Sequence, residues 1–352
     1  MSLKILRFII QIKVKNLKNK TELREREILM YTIEKINKDN IQELEFAYND
    51  FLLRAFSDYG FEILPLEFED IKTFIEEGIL NVIALFEKNI LKSFLIYNIV
   101  VDVVEVTIVH NIADEDTINR KMTLMKALLD EVKGKGYKTV SYTMMGSQKD
   151  FLMYIAKLGF DFVGQAVVKF EFDNQASLNI FMRVKDRPTP EGFEVVNFDM
   201  KYAKDIVNII HKSFANMNDQ KFDPRFKTME GCEDILAKIV QNIYGQFLPN
   251  HAKILLQDGV PKGFCMVNLT TENIANIPLV GILPELKYKG MGQLLLTHAL
   301  RDVLKSVFAG ELPLLELNAT IDTENIPAIN MYRKLGFKES ANYPQAYRPL
   351  ES

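Results

Sequence analysis

Apolar residues crowd into two short runs late in the chain, NIANIPLVGIL at 273–283 and LPLLELNAT at 312–320, and these predict buried strands. Between them, Leu294, Leu295, His298, Leu300 and Leu304 recur at helical spacing behind Gly290 and Gly292, which predicts a strand, a tight turn and an amphipathic helix. The pattern runs through the chain twice. YTIEKI at 31–36 and FEVVNF at 193–198 read as short strands, each followed by an amphipathic helix, IQELEFAYNDFLLRAF and YAKDIVNIIHKSF. Further on, LMKALLDEVKGKGYKTVSYTM at 124–144 parallels LLTHALRDVLKSV and its following strand, and LMYIAKLGFDFVG at 152–164 parallels NMYRKLGFKES. The repeat divides the chain into an extension at 1–29, a first domain at 30–172, a linker at 173–192 containing Pro188 and Pro190, and a second domain at 193–352.

Composition narrows the picture. A chain of 352 residues, 48% hydrophobic with a net charge of −4, fits a soluble protein of about two domains. Its apolar runs are too short for a membrane span, and its mixed charges imply neither nucleic acid nor a membrane as main partner. Cys232 and Cys265 are the only cysteines, so a disulfide framework is excluded and a reducing cytoplasm is the expected compartment. Residues 1–29 differ: eight Lys/Arg stand against three Glu, and Phe8, Ile10, Ile12 and Val14 alternate with their neighbours, as in an edge strand or a clinging tail. A membrane-surface segment is the sharper alternative.

The turn between strand and helix carries the chemistry. Gly290 and Gly292 remove Cβ atoms where the backbone bends, so amide N–H groups can converge at the positive end of the helix and bind a diphosphate, with Lys287 and Lys289 beside it. No GK[ST] follows, which excludes a Walker loop, and Leu295 occupies the third glycine position of a dinucleotide fingerprint. What remains is Lys-x-x-Gly-x-Gly after a strand. This resembles motif A of the GNAT acyltransferase superfamily, Q/R-x-x-G-x-G/A, with Lys287 replacing the usual Arg or Gln. One strand downstream, Asn325, Ala328, Tyr332, Gly336 and Phe337 fit the N-x-x-A-x-x-x-Y-x-x-x-G-F helix of the same superfamily.

The resemblance implies an α/β fold of two tandem GNAT-like domains, each a mixed, mostly antiparallel central sheet flanked by helices, in an arrangement similar to that of mycothiol synthase. It implies acetyl-CoA as cosubstrate, no metal, and transfer of an acetyl group to the amine of a small molecule or peptide. Ile282, Leu283, Lys287, Tyr288, Lys289, Gly290, Met291, Gly292, Gln293, Asn325 and Tyr332 would hold the cofactor. Tyr332 would also protonate the departing thiolate, whose conjugate acid has a pKa of roughly 8.5 against about 10 for a phenol. Asn325, at the start of its helix, would combine that contact with an N-cap.

Other residues weigh against or limit this reading. Some superfamily members carry a Glu eleven residues ahead of the Arg/Gln position; here that register falls on Asn276, which is no proton acceptor, leaving Glu272, Asp322, Glu324 or a water relay. An acyl-CoA-binding regulatory protein without catalysis is therefore the alternative. His110, His211, His251 and His298 lack metal-ligand spacing, and Cys265 in GFCMVNL reads as a core thiol. The two halves also differ. Glu115, Ile118 and Arg120 stand opposite Lys287, Gly290 and Gly292, and Asp114-Glu115-Asp116 would repel a polyanion. Ile155 stands opposite Tyr332, with Tyr154 out of phase, so the first half reads as a degenerate copy. Acceptor recognition is expected from 199–245, whose mixed charges name no ligand.

Overall fold

In the computed structural model, residues 31–59, 65–112, 116–144, 146, 149–184 and 188–350 are described. The extension at 1–29 and the acidic pair Asp114 and Glu115 lie outside them. The first half runs β1 (Tyr31–Ile36), α1 (Glu45–Arg54), α2 (Phe68–Glu76), β2 (Leu80–Glu87), β3 (Ile90–Val100), β4 (Val103–Asn111), α3 (Thr117–Val132), β5 (Thr139–Thr143), α4 (Lys149–Lys157) and β6 (Asp161–Glu171). Helix α5 (Asn174–Val184) follows, within the stretch read as a linker, and Phe181 on it packs edge-on against Phe308.

The second half runs β7 (Phe193–Asn197), α6 (Ala203–Ser213), α7 (Asp219–Phe222), α8 (Met229–Val240), β8 (Gln246–Phe247), β9 (Lys253–Gln257), β10 (Val260–Cys265), β11 (Asn268–Thr271), β12 (Ile274–Asn276), β13 (Val280–Ile282), α9 (Met291–Phe308), β14 (Glu316–Asp322), α10 (Ile326–Lys334) and β15 (Lys338–Pro349). Helices cover both faces of the sheets because each buries one apolar stripe. On α6, Ile206, Ile209 and Ile210 share such a stripe and pack, with Ile235, Leu236 and Ile239 of α8, onto Ile254 and Phe264.

Eleven strands form one sheet in the order β1-β2-β3-β4-β5-β15-β6-β14-β12-β11-β8, and β13-β10-β9-β7 form a second. The α/β class and the mostly antiparallel sheets agree with the sequence reading. The long sheet is continuous because the halves exchange their last strands. β6 lies antiparallel between β14 and β15, while β15, from the end of the chain, lies between β5 and β6.

Each half contains one parallel strand pair that opens like a V. In the first, β4 and β5 pair from Val103↔Thr139 to Val106↔Tyr142. In the second, β12 and β14 pair from Ile274↔Glu316 to Asn276↔Asn318, and one further hydrogen bond runs from Ile277 N–H to the Asn318 carbonyl at 2.8 Å. Pro278 then offers no N–H. Past it the chain joins the other sheet, where Val280, Gly281 and Ile282 pair with Cys265, Phe264 and Gly263.

Candidate active site

The opened V between β13 and β14 is a cleft of about 540 Å3. One wall is Ile277–Ile282, the other is Thr320–Asp322 with the face of α10, and the start of α9 forms its floor. Met266 N–H bonds the Leu279 carbonyl and Leu283 N–H bonds the Lys262 carbonyl, both at 2.9 Å, so Leu279, Gly281 and Leu283 turn their main-chain groups toward β10. By strand alternation the main-chain groups of Val280 and Ile282 face the cleft, where an extended amide-bearing chain can pair with them.

The turn at the foot of this wall is shaped by three local features. Pro284–Leu286 makes a 3-10 turn, Tyr288 has φ +64°, and Gly290 takes φ +81° as the N-cap of α9. A left-handed backbone costs an ordinary residue about 1–2 kcal/mol and glycine almost nothing, which accounts for Gly290. Among the described residues, the N–H groups of Tyr288, Gly290, Met291, Gly292 and Gln293 find no protein acceptor. Five free amides at the positive end of an 18-residue helix suit an anion such as a diphosphate. Gly292 keeps the approach open, since a Cβ there would lie 3.4 Å from the Met331 sulfur.

Of the residues assigned by resemblance, Ile282, Lys287, Tyr288, Gly290, Gly292, Gln293, Asn325 and Tyr332 line the cleft together. Leu283, Lys289 and Met291 are not among its lining: Leu283 and Met291 are buried beneath the turn and Lys289 points to solvent. Lys287 Nζ donates to the Ser213 carbonyl at 3.2 Å, tying the turn to the end of α6. Asn325 caps α10 by accepting from Ala328 N–H at 3.2 Å while lining the cleft. Tyr332 is 2% exposed, with its ring edge-on to Phe337. Burial, with the Cys265 thiol adding, pushes its hydroxyl well above the usual phenol value, so it stays protonated at neutral pH. Cys265 itself is fully buried, and burial pushes its thiol up to about 12.

The carboxylates are arranged in a way the sequence did not reveal. Asn276 is engaged, its Nδ2 donating to Asn318 Oδ1 at 2.6 Å, and Glu272 is exposed. Asp322 lines the cleft and accepts from Asn218 Nδ2 at 2.7 Å; Glu324 accepts from the same amide at 3.0 Å. Asp219, on α7, lines the cleft as well. Burial, reinforced by the charges of Asp322 and Asp223, pushes its carboxyl up to about 6. A proton acceptor of that strength suits amine chemistry near neutrality. Its only sequence signal was membership of the acceptor-side segment 199–245.

The corresponding place in the first half is built differently. Asp116 stands at the N-cap position of α3 with φ +53°, its carboxylate accepting from Tyr31 Oη at 2.5 Å rather than from the helix, and Arg120 pairs with Glu87 at 2.9 Å. Lys121 Nζ lies 5.4 Å from the Tyr59 ring centre and 5.7 Å from that of Phe151. Tyr59 hydrogen-bonds His110 Nδ1 at 2.9 Å, whose Nε2 meets Asp50 at 2.8 Å. Ile155, opposite Tyr332, is fully buried, and Tyr154 points outward beneath Lys157. Among the described residues, no cluster of His, Cys, Asp and Glu could hold a metal ion, and no helix is long and apolar enough to cross a membrane.

Residues 220–337 match the model of the acetyltransferase (GNAT) family. No curated protein matches the sequence significantly. Among solved structures, a tandem GNAT protein from the clavulanic acid biosynthesis pathway is similar with a TM-score of 0.57 at 11% identity, over 92% of this chain and 99% of that one. A GCN5-related N-acetyltransferase from Sphaerobacter thermophilus has a TM-score of 0.58 at 12% identity, over 92% and 96%. The glucosamine N-acetyltransferase region of a fungal multi-domain GH3 beta-N-acetylglucosaminidase has a TM-score of 0.62 at 10% identity, over 90% and 38%. At these identities the likeness concerns the fold, and it spans both halves. Residues 220–337 thus match the GNAT family, and the chain as a whole has the tandem GNAT fold.

Proposed function

We propose that the protein is an acetyl-CoA-dependent N-acetyltransferase whose acceptor is the amine of a small molecule or peptide, with the chemistry in residues 193–352. The first half, residues 30–172, then serves as scaffold and as a wall for the second. The observation that carries this reading is the convergence on one cleft of the acceptor-less amides of Tyr288, Gly290, Gly292 and Gln293, a buried protonated Tyr332 and the carboxyl of Asp219. The diphosphate of the cofactor would sit on those amides, and its pantetheine amides would pair with Val280 and Ile282. Asp219 would take a proton from the ammonium; the freed amine attacks the thioester carbonyl. Collapse of the tetrahedral intermediate breaks the C–S bond, Tyr332 supplies the proton to the leaving sulfur, and the extra proton on the newly acylated nitrogen returns to Tyr332.

The test is acetyl-CoA titration together with a free-thiol turnover screen against amines, aminoglycosides, amino acids and peptides. One acetyl-CoA should bind per chain. Gly292→Glu should abolish that binding in a folded protein, because it sets a carboxylate among the amides without the left-handed strain that any substitution at Gly290 carries. Tyr332→Phe keeps the ring and removes the acid, so kcat should fall about a hundredfold with little change in cofactor affinity. Unchanged binding in Gly292→Glu would refute the cofactor site. Tight acetyl-CoA binding with no turnover on any amine would instead support a non-catalytic acyl-CoA sensor.

A further inference from the structure

The first half keeps its own opened strand pair although the glycine turn is gone. Beyond the Val106↔Tyr142 pair, β4 and β5 separate around a second cavity of about 540 Å3, a size suited to a small molecule. Its accessible apolar lining comes from Leu66, Leu80 and Ile108, while Phe51, Tyr59 and Tyr142 line it but are almost fully buried. Phe222, the last residue of α7, closes it from the second half.

Two features define what it could hold. The place that would have cradled a diphosphate is taken by side chains, since Arg120 is paired with Glu87 and the Asp116 carboxylate, at the N-cap position of α3, is bonded to Tyr31. An anionic cofactor is therefore disfavoured, while the apolar lining favours an apolar body. The second feature is charge. Glu105 lines the cavity and accepts one hydrogen bond from Asn98 Nδ2 at 3.1 Å, and Asp223 lines it too. Nearby, Arg225 pairs with Asp223 at 2.7 Å and Asp234 at 3.1 Å, and Lys238 pairs with Asp234 at 3.0 Å. Three carboxylates against two cations leave one negative charge, and Glu105 is the carboxylate without a cationic partner in that set. A half-buried carboxylate outside these ion pairs is stabilised by a cation that enters with the ligand.

We propose that this cavity is a second ligand site, which binds a small apolar primary amine with its hydrocarbon body against Leu66, Ile108 and Phe222 and its ammonium on Glu105. The site involves no acyl transfer and stands apart from the cleft of the second half.

Calorimetry with phenethylamine, without any acyl donor, tests it. One binding event per chain is expected, about tenfold weaker in Glu105→Gln, whereas phenethyl alcohol should bind wild type and Glu105→Gln alike. Ile108→Trp should fill the cavity and remove both ligands while thermal melting reports a folded protein; Thr107→Trp, at the exposed rim, provides the same reading if Ile108→Trp does not fold. Absence of phenethylamine binding, or binding indifferent to Glu105→Gln and to the tryptophan variants, would overturn the proposal. So would competition by coenzyme A or loss of binding in Gly292→Glu, either of which places the amine in the second half. Failure of acetyl-CoA to bind would leave this outcome untouched.

Discussion

At the scale of single residues, what could be read from the sequence is what lies close together in it. Gly290, Gly292, Asn325 and Tyr332 belong to two contiguous motifs whose spacing fixes their relative positions, and all four line one cleft. Asp219 lies more than a hundred residues from Tyr332 and reaches the cleft through the path of α6 and α7, which no local pattern encodes. Its carboxyl gives a prediction with two opposite signs. Because burial and neighbouring carboxylates hold it at about 6 rather than 3.8, the folded state binds its proton more tightly than the unfolded state, and stability contributed by this group is lost as pH rises between those values. Turnover should do the reverse, rising through about pH 6 as Asp219 ionises. Asp219→Asn should flatten that limb of the kcat/KM profile and raise the melting temperature above pH 6. A variant that keeps both the limb and the wild-type melting temperature would show that Asp219 neither accepts the proton nor strains the fold.

At the scale of elements, strands and helices were legible from periodicity, but the partner each strand chooses was not. Residues 273–283 read as one strand, and the chain divides them at Pro278 between two sheets, because the missing N–H ends the ladder with β14 while Leu279 and Gly281 still find partners on β10. The stretch 173–192 reads as a linker from its prolines, yet Asn174–Val184 form a helix whose Phe181 meets Phe308. A helix that caps someone else's core leaves little trace in its own sequence. Lys121 illustrates how packing can also oppose a residue's chemistry. It sits on α3 over the rings of Tyr59 and Phe151, and burial lowers its ammonium to about 8. The unfolded chain binds that proton up to about 10.5, so stability should rise as pH increases from about 8 toward 10.5. Lys121→Met retains the length and the aromatic contacts without the charge. Thermal melts should find it more stable than wild type at neutral pH and without that upward slope; a less stable variant with an unchanged slope would mean that the cation–π contacts outweigh desolvation.

At the scale of the molecule, the exchange of final strands decides what can fold alone. The sequence repeat invites a cut near Pro188 and Pro190, with each half expected to stand as a unit. The sheet runs otherwise: β6 of the first half hydrogen-bonds β14 along Gln165–Glu171, and β15 of the second half lies between β5 and β6. The cores follow the strands, with Val168 and Phe170 of β6 packed among the residues of the second half and Ala346 of β15 packed among those of the first. A fragment 193–352 would therefore leave β14 and β15 with open edges and a gap where Val168 and Phe170 belong, and a fragment 30–172 would lose the strand beside β5. Open edges of this length invite association, and each missing large side chain in a core costs about 2–5 kcal/mol, enough to consume a typical domain's margin. Each fragment expressed alone should be aggregated or lack a cooperative melt. Fragments 30–184, which keeps α5 against Phe308, and 193–352 should instead co-purify when co-expressed, as a one-to-one complex that binds acetyl-CoA. A monomeric, cooperatively melting 193–352 fragment that binds acetyl-CoA as tightly as the full chain would show that the exchanged strands are dispensable to the second half.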